Sequence, residues 1–154
     1  MIIRKAKIND VKNLIKLDKE LHKESMKLVL PEFKVFDVYR NQKEYFDYVK
    51  QKKFLLLLVE EDSKMIGFIS GKIEKIILNK HKVMQGKISD IYVKKVYRSK
   101  KIASMLYESL FAWFKKNKCN YVELNVYPNN PAKKIYSHWG FKEMKINMKK
   151  KLSN

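Results

Sequence analysis

Lys87-Ile88-Ser89-Asp90-Ile91-Tyr92-Val93-Lys94-Lys95-Val96-Tyr97-Arg98-Ser99-Lys100-Lys101-Ile102-Ala103-Ser104-Met105-Leu106 is the stretch from which the rest of the chain is read. Residues 87–93 have the β-branched and aromatic character of a strand. From Ser99 onward, Ile102, Leu106, Leu110 and Trp113, with Met105 and Phe114 beside them, predict a helix ending near Lys118. Residues 121–126 again read as a strand. A strand, a crossing helix and a second strand imply a right-handed parallel unit set into a mixed sheet. The turn between the first strand and the helix puts the amides of residues 98–103 at a helix start, where free N–H groups and the helix dipole favour an anion. Every strand-to-helix turn has that property, so the turn alone defines no ligand.

Working towards the N-terminus, residues 65–73 and 54–60 read as two strands of an antiparallel hairpin around the polar turn 61–64. Residues 41–50 predict a helix with Tyr45, Phe46 and Val49 inward. Asn9 and Asp10 can cap a helix carrying Val11, Leu14, Ile15, Leu17 and Leu21, and residues 2–6 form a first strand. Residues 26–39, interrupted by Pro31, show no period. Towards the C-terminus, 131–138 predicts a short helix stopped by Gly140, and 141–148 a final strand.

The 154 residues suit one domain, and 45% hydrophobic residues with only four Gly and three Pro are enough for a sizeable core. The longest apolar run, 54–59, is of strand length and far below the roughly 18 residues of a membrane helix. No apolar block with a small-residue cleavage site opens the sequence, so a cytoplasmic location is expected. The single cysteine, Cys119, forms no internal disulfide and supplies no zinc cluster. Against 16 acidic residues stand 35 basic ones, a net +19, yet only Arg4, Arg40 and Arg98 are arginines. Surfaces that read bases or grip phosphates favour the bidentate guanidinium. Lysine spread along the whole chain, with Asn and Ile frequent, reads as an AT-rich coding bias on solvated faces. No nucleic-acid or membrane partner is expected, although such a field concentrates anionic ligands.

With its surroundings, the central stretch resembles the GCN5-related N-acetyltransferases, the GNAT superfamily. Their acetyl-coenzyme A signature is Gln or Arg, two residues, Gly, one residue, then Gly or Ala. Arg98 and Ala103 fit it, and Lys101 stands where the family has glycine. Ile91-Tyr92-Val93 is similar to the family's fourth strand, and Asn129, Ala132, Tyr136 and Gly140-Phe141 to its downstream pattern. The resemblance covers essentially the whole chain. It implies an α/β (α+β) GNAT fold: a mixed, mostly antiparallel six- to seven-stranded sheet flanked by helices, its parallel fourth and fifth strands forming the cofactor cleft, in a single N-acetyltransferase domain over residues 1–154.

Acetyl transfer from a thioester to an amine needs the cofactor held, its carbonyl polarised, the amine deprotonated and the thiolate stabilised. By resemblance, acetyl-CoA is held by Arg98, Ser99, Lys100, Lys101, Ile102, Ala103 and Ser104. A lysine at 101 must point away from the phosphate or reach back to it. Amides near Ile91, Tyr92 and Val93, around a bulge, would face the carbonyl oxygen, a contribution of roughly 3 kcal/mol. Tyr136 matches the family's general acid. A phenol of pKa about 10 is a weaker acid than a thiol of about 8.5, so full transfer is uphill by about 2 kcal/mol and hydrogen bonding to the developing charge is its main contribution unless the site lowers that pKa. Asn129 matches the family's cofactor-side asparagine, and because the preceding loop is one residue shorter, Asn130 is an alternative.

An alkylamine near pKa 10.4 is neutral in only about one molecule per two thousand at pH 7, so a proton acceptor is valuable. Where many family members place a glutamate on the fifth strand, this chain has Asn125. Ser89-Asp90 resembles the Glu-Asp pair of polyamine acetyltransferases, which makes Asp90 the candidate base or amine anchor, with Glu123 the weaker alternative. Glu24, Glu32 and Asp37 fall in or beside the acceptor-shaping region. His22, His81 and His138 lack metal-ligand spacing, and no metal is expected. The implied activity is N-acetylation of a primary amine, most simply that of a polyamine, amino acid or aminoglycoside-like molecule, by direct attack in a ternary complex. A protein N-terminus or lysine as acceptor, and a catalytically silent acyl-CoA-binding domain, are the alternatives. Homodimers are common in the family.

Overall fold

The structure, a computed structural model, describes residues 1–31 and 40–152. Five strands, β1 (Ile2–Lys5), β2 (Phe54–Glu61), β3 (Lys64–Leu78), β4 (His81–Val93) and β5 (Tyr121–Glu123), lie side by side in chain order. Neighbours are antiparallel except β4 and β5, which run parallel. The helices are α1 (Val11–Ser25), α2 (Gln42–Lys50), α3 (Ile102–Lys116) and the short α4 (Lys133–His138).

Strand alternation divides the apolar residues between two faces. Leu56, Leu58, Phe68 and Tyr92 pack with Val11, Leu14 and Leu17 of α1 and Tyr45 of α2. Leu55, Leu57, Ile69, Ile73 and Ile88 pack with Ile102, Leu106, Leu110 and Phe114 of α3. Phe114 lies so close to the sheet that a Cβ at Gly86 or Gly71 would come within 2.6 or 2.9 Å of its ring. Both glycines are therefore required by the seating of α3, with no demand on φ.

Three sequence expectations need correction. The hairpin strands run well past their expected limits, to Leu78 and back from His81, because two-residue turns at Asp62-Ser63 and Asn79-Lys80 adopt positive φ without glycine. The strand expected at 121–126 pairs only over Tyr121–Glu123. The strand expected at 141–148 does not form, so the described residues make a five-stranded sheet and not one of six or seven. Met144, Ile146 and Met148 keep the alternation of a strand, yet they are 90%, 81% and 88% exposed. Alternation is a local property of sequence, whereas a strand also needs a neighbouring edge. No helix among the described residues is long and apolar enough to cross a membrane.

Candidate active site

A β-bulge organises the site. Ser70 of β3 pairs with Asp90 and the next residue, Gly71, with Ile88, so Ser89 is extra on β4. The added residue changes the strand's parity. Ile88 points into the α3 core, whereas Tyr92 packs on the α1 side. Ser89 and Asp90 also reach that side, through the Tyr48 hydroxyl and through Arg40 and Ser70. The parallel ladder to β5 ends at Lys87 and Glu123, just before the bulge. Lys94 N–H donates to Ile66 C=O at 2.9 Å. Because pairing alternates along an antiparallel ladder, Asp90 and Tyr92 turn their backbone groups towards β3, and Ile91 and Val93 turn theirs to the opened edge.

Beside that edge, the β4–α3 turn forms the candidate donor wall. Ser99 and Lys101 have φ of 70° and 57°. Lys101, the N-cap of α3, is left-handed, the conformation for which glycine is favoured. The departure from the signature therefore leaves the backbone shape intact. Met105 N–H makes the first helical bond, to Lys101 C=O, so the amides of Ile102, Ala103 and Ser104 lie in the first turn with no intrahelical acceptor. The Lys101 side chain makes no capping bond to them. Ser99, Lys100 and Lys101 are exposed and Ile102 is buried. Arg98 is engaged elsewhere: its Nε donates to Val93 C=O at 2.8 Å, its Nη2 to Glu24 of α1 at 2.8 Å, and its guanidinium lies over Tyr92. It braces the turn against α1. Tyr92 has its hydroxyl on Glu20 at 3.0 Å.

The candidate acceptor wall consists of side chains. Asp90 Oδ2 accepts from Arg40 Nη1 and from Ser70 Oγ, the latter at 2.8 Å. The Arg40 guanidinium sits 4.7 Å over the Tyr48 ring, and its backbone N–H donates to Asp18 of α1 at 3.1 Å. Asp18 is only 6% exposed, and burial together with the charge of Asp90 pushes its carboxyl above the usual carboxylate range. Arg40 is held in place by a capping box that starts α2, with Asn41 and Glu44 exchanging side-chain and backbone bonds at 2.7 and 3.0 Å. No signal marked Arg40 or Asp18 as site residues in the sequence, where Arg40 and Asp90 stand 50 positions apart.

Tyr136 enters from α4, half-buried, and burial followed by the charge of Asp90 raises its pKa above the ordinary 10. The fold thus brings Tyr136 and Asp90 within electrostatic reach. Asn129 Nδ2 donates to Leu28 C=O at 3.3 Å, which ties the approach to α4 to the turn that follows α1. Asn130 Oδ1 accepts from Ala132 N–H at 2.9 Å at the entry to α4. Glu123 pairs with Gln85 and Lys87 and is exposed, as is Asn125. Glu32 and Asp37 lie outside the described residues.

The family model for acetyltransferases of the GNAT family matches residues 20–141, and the chain belongs to that family. An N-alpha-acetyltransferase of Sulfurisphaera tokodaii is 28% identical over 153 residues, which span 94% of this chain and 81% of that protein. The solved tetramutant of the BH1408 protein from Bacillus halodurans superposes with a TM-score of 0.87 at 24% identity, covering 99% of this chain and 100% of that one. Aminoglycoside N-acetyltransferase AAC(6')-Iy in complex with CoA gives a TM-score of 0.72 at 17% identity, covering 99% and 100%. The protein is thus an acyltransferase with an acyl-CoA donor. The donor wall fits such a group: three first-turn amides with no intrahelical acceptor suit its pyrophosphate, and the opened β4 edge suits its amide-containing arm.

Proposed function

We propose that this single-domain protein transfers an acetyl group from acetyl-CoA to the primary amine of a small molecule by direct attack in a ternary complex. The observation that carries the reading is the parting of β4 from β5 at the Ser89 bulge. It leaves an open backbone edge beside the start of α3, and in this reading Tyr136 faces the same gap. When bound, acetyl-CoA supplies the activated acyl group. The amides of Ile102, Ala103 and Ser104 receive its pyrophosphate, with Ser99, Lys100 and Lys101 shaping the turn and Arg98 bracing it. The N–H groups of Ile91 and Val93 are the donors available to the carbonyl oxygen. The Val93 carbonyl is already taken by Arg98.

Tyr136 stabilises the departing sulfur. Its raised pKa makes complete proton transfer still less favourable than for an ordinary phenol, so it acts by hydrogen bonding as charge develops. Asp90 anchors the acceptor amine. Among the described residues, both of its hydrogen bonds fall on Oδ2, and in this reading Oδ1 receives an amine proton. Asn129 and Asn130 hold α4 in register with the gap.

Thiol release from acetyl-CoA across a panel of polyamines, amino acids, aminoglycosides and peptides, with calorimetric cofactor binding alongside, tests the reading. Release with a small amine supports it. Cofactor binding without release from any amine favours a silent acyl-CoA-binding domain, and no binding at all overturns the donor site. A second reading, acetylation of protein N-termini, draws on the Sulfurisphaera tokodaii relative and predicts release with peptides alone.

A further inference from the structure

We propose that Trp139, stacked on Tyr107, is a positioning residue that sets the Tyr136 hydroxyl towards the gap; the inference rests on reading Tyr136 as the residue that stabilises the departing sulfur. The helix that carries Tyr136 has six residues, none of them buried. Of its side chains, Tyr136 belongs to a closed ring of four aromatics. Tyr107, on α3 and 9% exposed, stacks on Trp139 with centroids 4.2 Å apart and planes 5° from parallel. Tyr107 also meets Phe141 edge-on at 6.1 Å. Trp139 and Phe141 in turn contact the Tyr136 ring, at 5.7 Å tilted by 55° and at 6.3 Å edge-on at 72°.

Gly140 makes this closure possible. At φ +89° it reverses the chain between the two flanking rings, and Phe141 N–H returns to Tyr136 C=O at 3.0 Å. A tyrosine has two side-chain torsions, and rings on either side restrict both. The buried end of the arrangement is Tyr107, so α3, whose first turn forms the donor wall, also sets the position of the acid. A displacement of the hydroxyl by about 1 Å is enough to cost up to about 100-fold in rate.

The test compares Trp139→Ala, Trp139→Phe, Tyr136→Phe and the double variant Tyr136→Phe/Trp139→Ala by thiol release, with calorimetric Kd for CoA and thermal midpoints as controls. Trp139→Ala is expected to lower kcat by about 10- to 100-fold. CoA Kd should stay within about 2-fold, because the donor wall is untouched, and Trp139→Phe should recover most of kcat. The double variant should be no slower than Tyr136→Phe alone, since Trp139 acts only through that hydroxyl. Should Trp139→Ala fail to fold, Trp139→Leu keeps apolar bulk without a flat ring and is expected to be slow. Losses that multiply in the double variant, or wild-type kcat in a folded Trp139→Ala or Trp139→Leu protein, overturn the positioning role. Wild-type kcat in Tyr136→Phe overturns the prior reading of Tyr136 itself.

Discussion

The two walls of the gap are built from different material. On the proposed donor side the groups are backbone amides at the start of α3 and along the opened edge of β4. On the proposed acceptor side they are side chains, Asp18, Arg40, Asp90 and Tyr136, drawn from α1, the entry to α2, β4 and α4. A backbone site depends on chain shape and tolerates changes of residue, as Lys101 shows by adopting the left-handed conformation in place of a glycine. A side-chain site depends on each partner. Substitutions should therefore be costly on the acceptor wall and mild on the donor wall.

The largest effect is expected from Arg40→Met. Its guanidinium pairs with Asp90 and its charge also favours the Asp18 carboxylate, and breaking such a partly buried pair by removing one partner costs about 3 kcal/mol. Denaturant unfolding should show that loss. The lost stability should also acquire a pH dependence. Asp18 is already raised above its unfolded value, and removing the cation raises it further. A raised carboxyl costs nothing while both states are protonated, and it costs progressively more as pH rises through the unfolded value near about 4. The variant should be closest to wild type in acid and furthest from it at neutral pH. CoA affinity should be unchanged, and a variant as stable as wild type at pH 7 would remove the distinction between the walls.

Tyr136→Phe comes next, with an expected fall in kcat of about 100-fold and little change in CoA Kd. Because burial and Asp90 push the phenol above 10, wild-type kcat/KM should rise from pH 7 to 9 as the acceptor amine loses its proton. The phenol contributes no descending limb in that range. A rate that falls in that range and is flattened by Tyr136→Phe would show that the hydroxyl ionises within the assay range and would contradict the raised pKa.

The same contrast explains what the sequence revealed. The elements of the candidate donor wall were legible because they are local: a strand, a turn and the apolar spacing of α3 lie within consecutive residues, and Arg98 and Ala103 mark the turn. The role of Arg98 was not legible. Its contact with Glu24 spans 74 positions, and the side chain braces α1 while neighbouring amides face the gap. The acceptor wall showed only Asp90 and Tyr136. Arg40 and Asp18 become part of it through tertiary contacts, and the bulge at Ser89 carries no Gly or Pro to announce it. The over-read strand at 141–148 is the converse case, a local pattern with no described edge beside it.

The smallest effect, and the sharpest test of the donor side, is expected from Lys101→Gly. A left-handed non-glycine residue carries a cost of about 1 kcal/mol, which glycine removes. Glycine also frees the unfolded chain, at a cost of roughly 0.4–1 kcal/mol, so the two changes nearly cancel and the thermal midpoint should hardly move. The exposed ammonium is screened, and losing it should weaken CoA binding by no more than about 3-fold at low salt, with the difference vanishing at high salt. Calorimetric titrations at two salt concentrations measure both. A loss of 10-fold or more (about 1.4 kcal/mol), persisting in high salt, would mean that the Lys101 side chain itself grips the cofactor. The donor wall would then be a side-chain site like its neighbour.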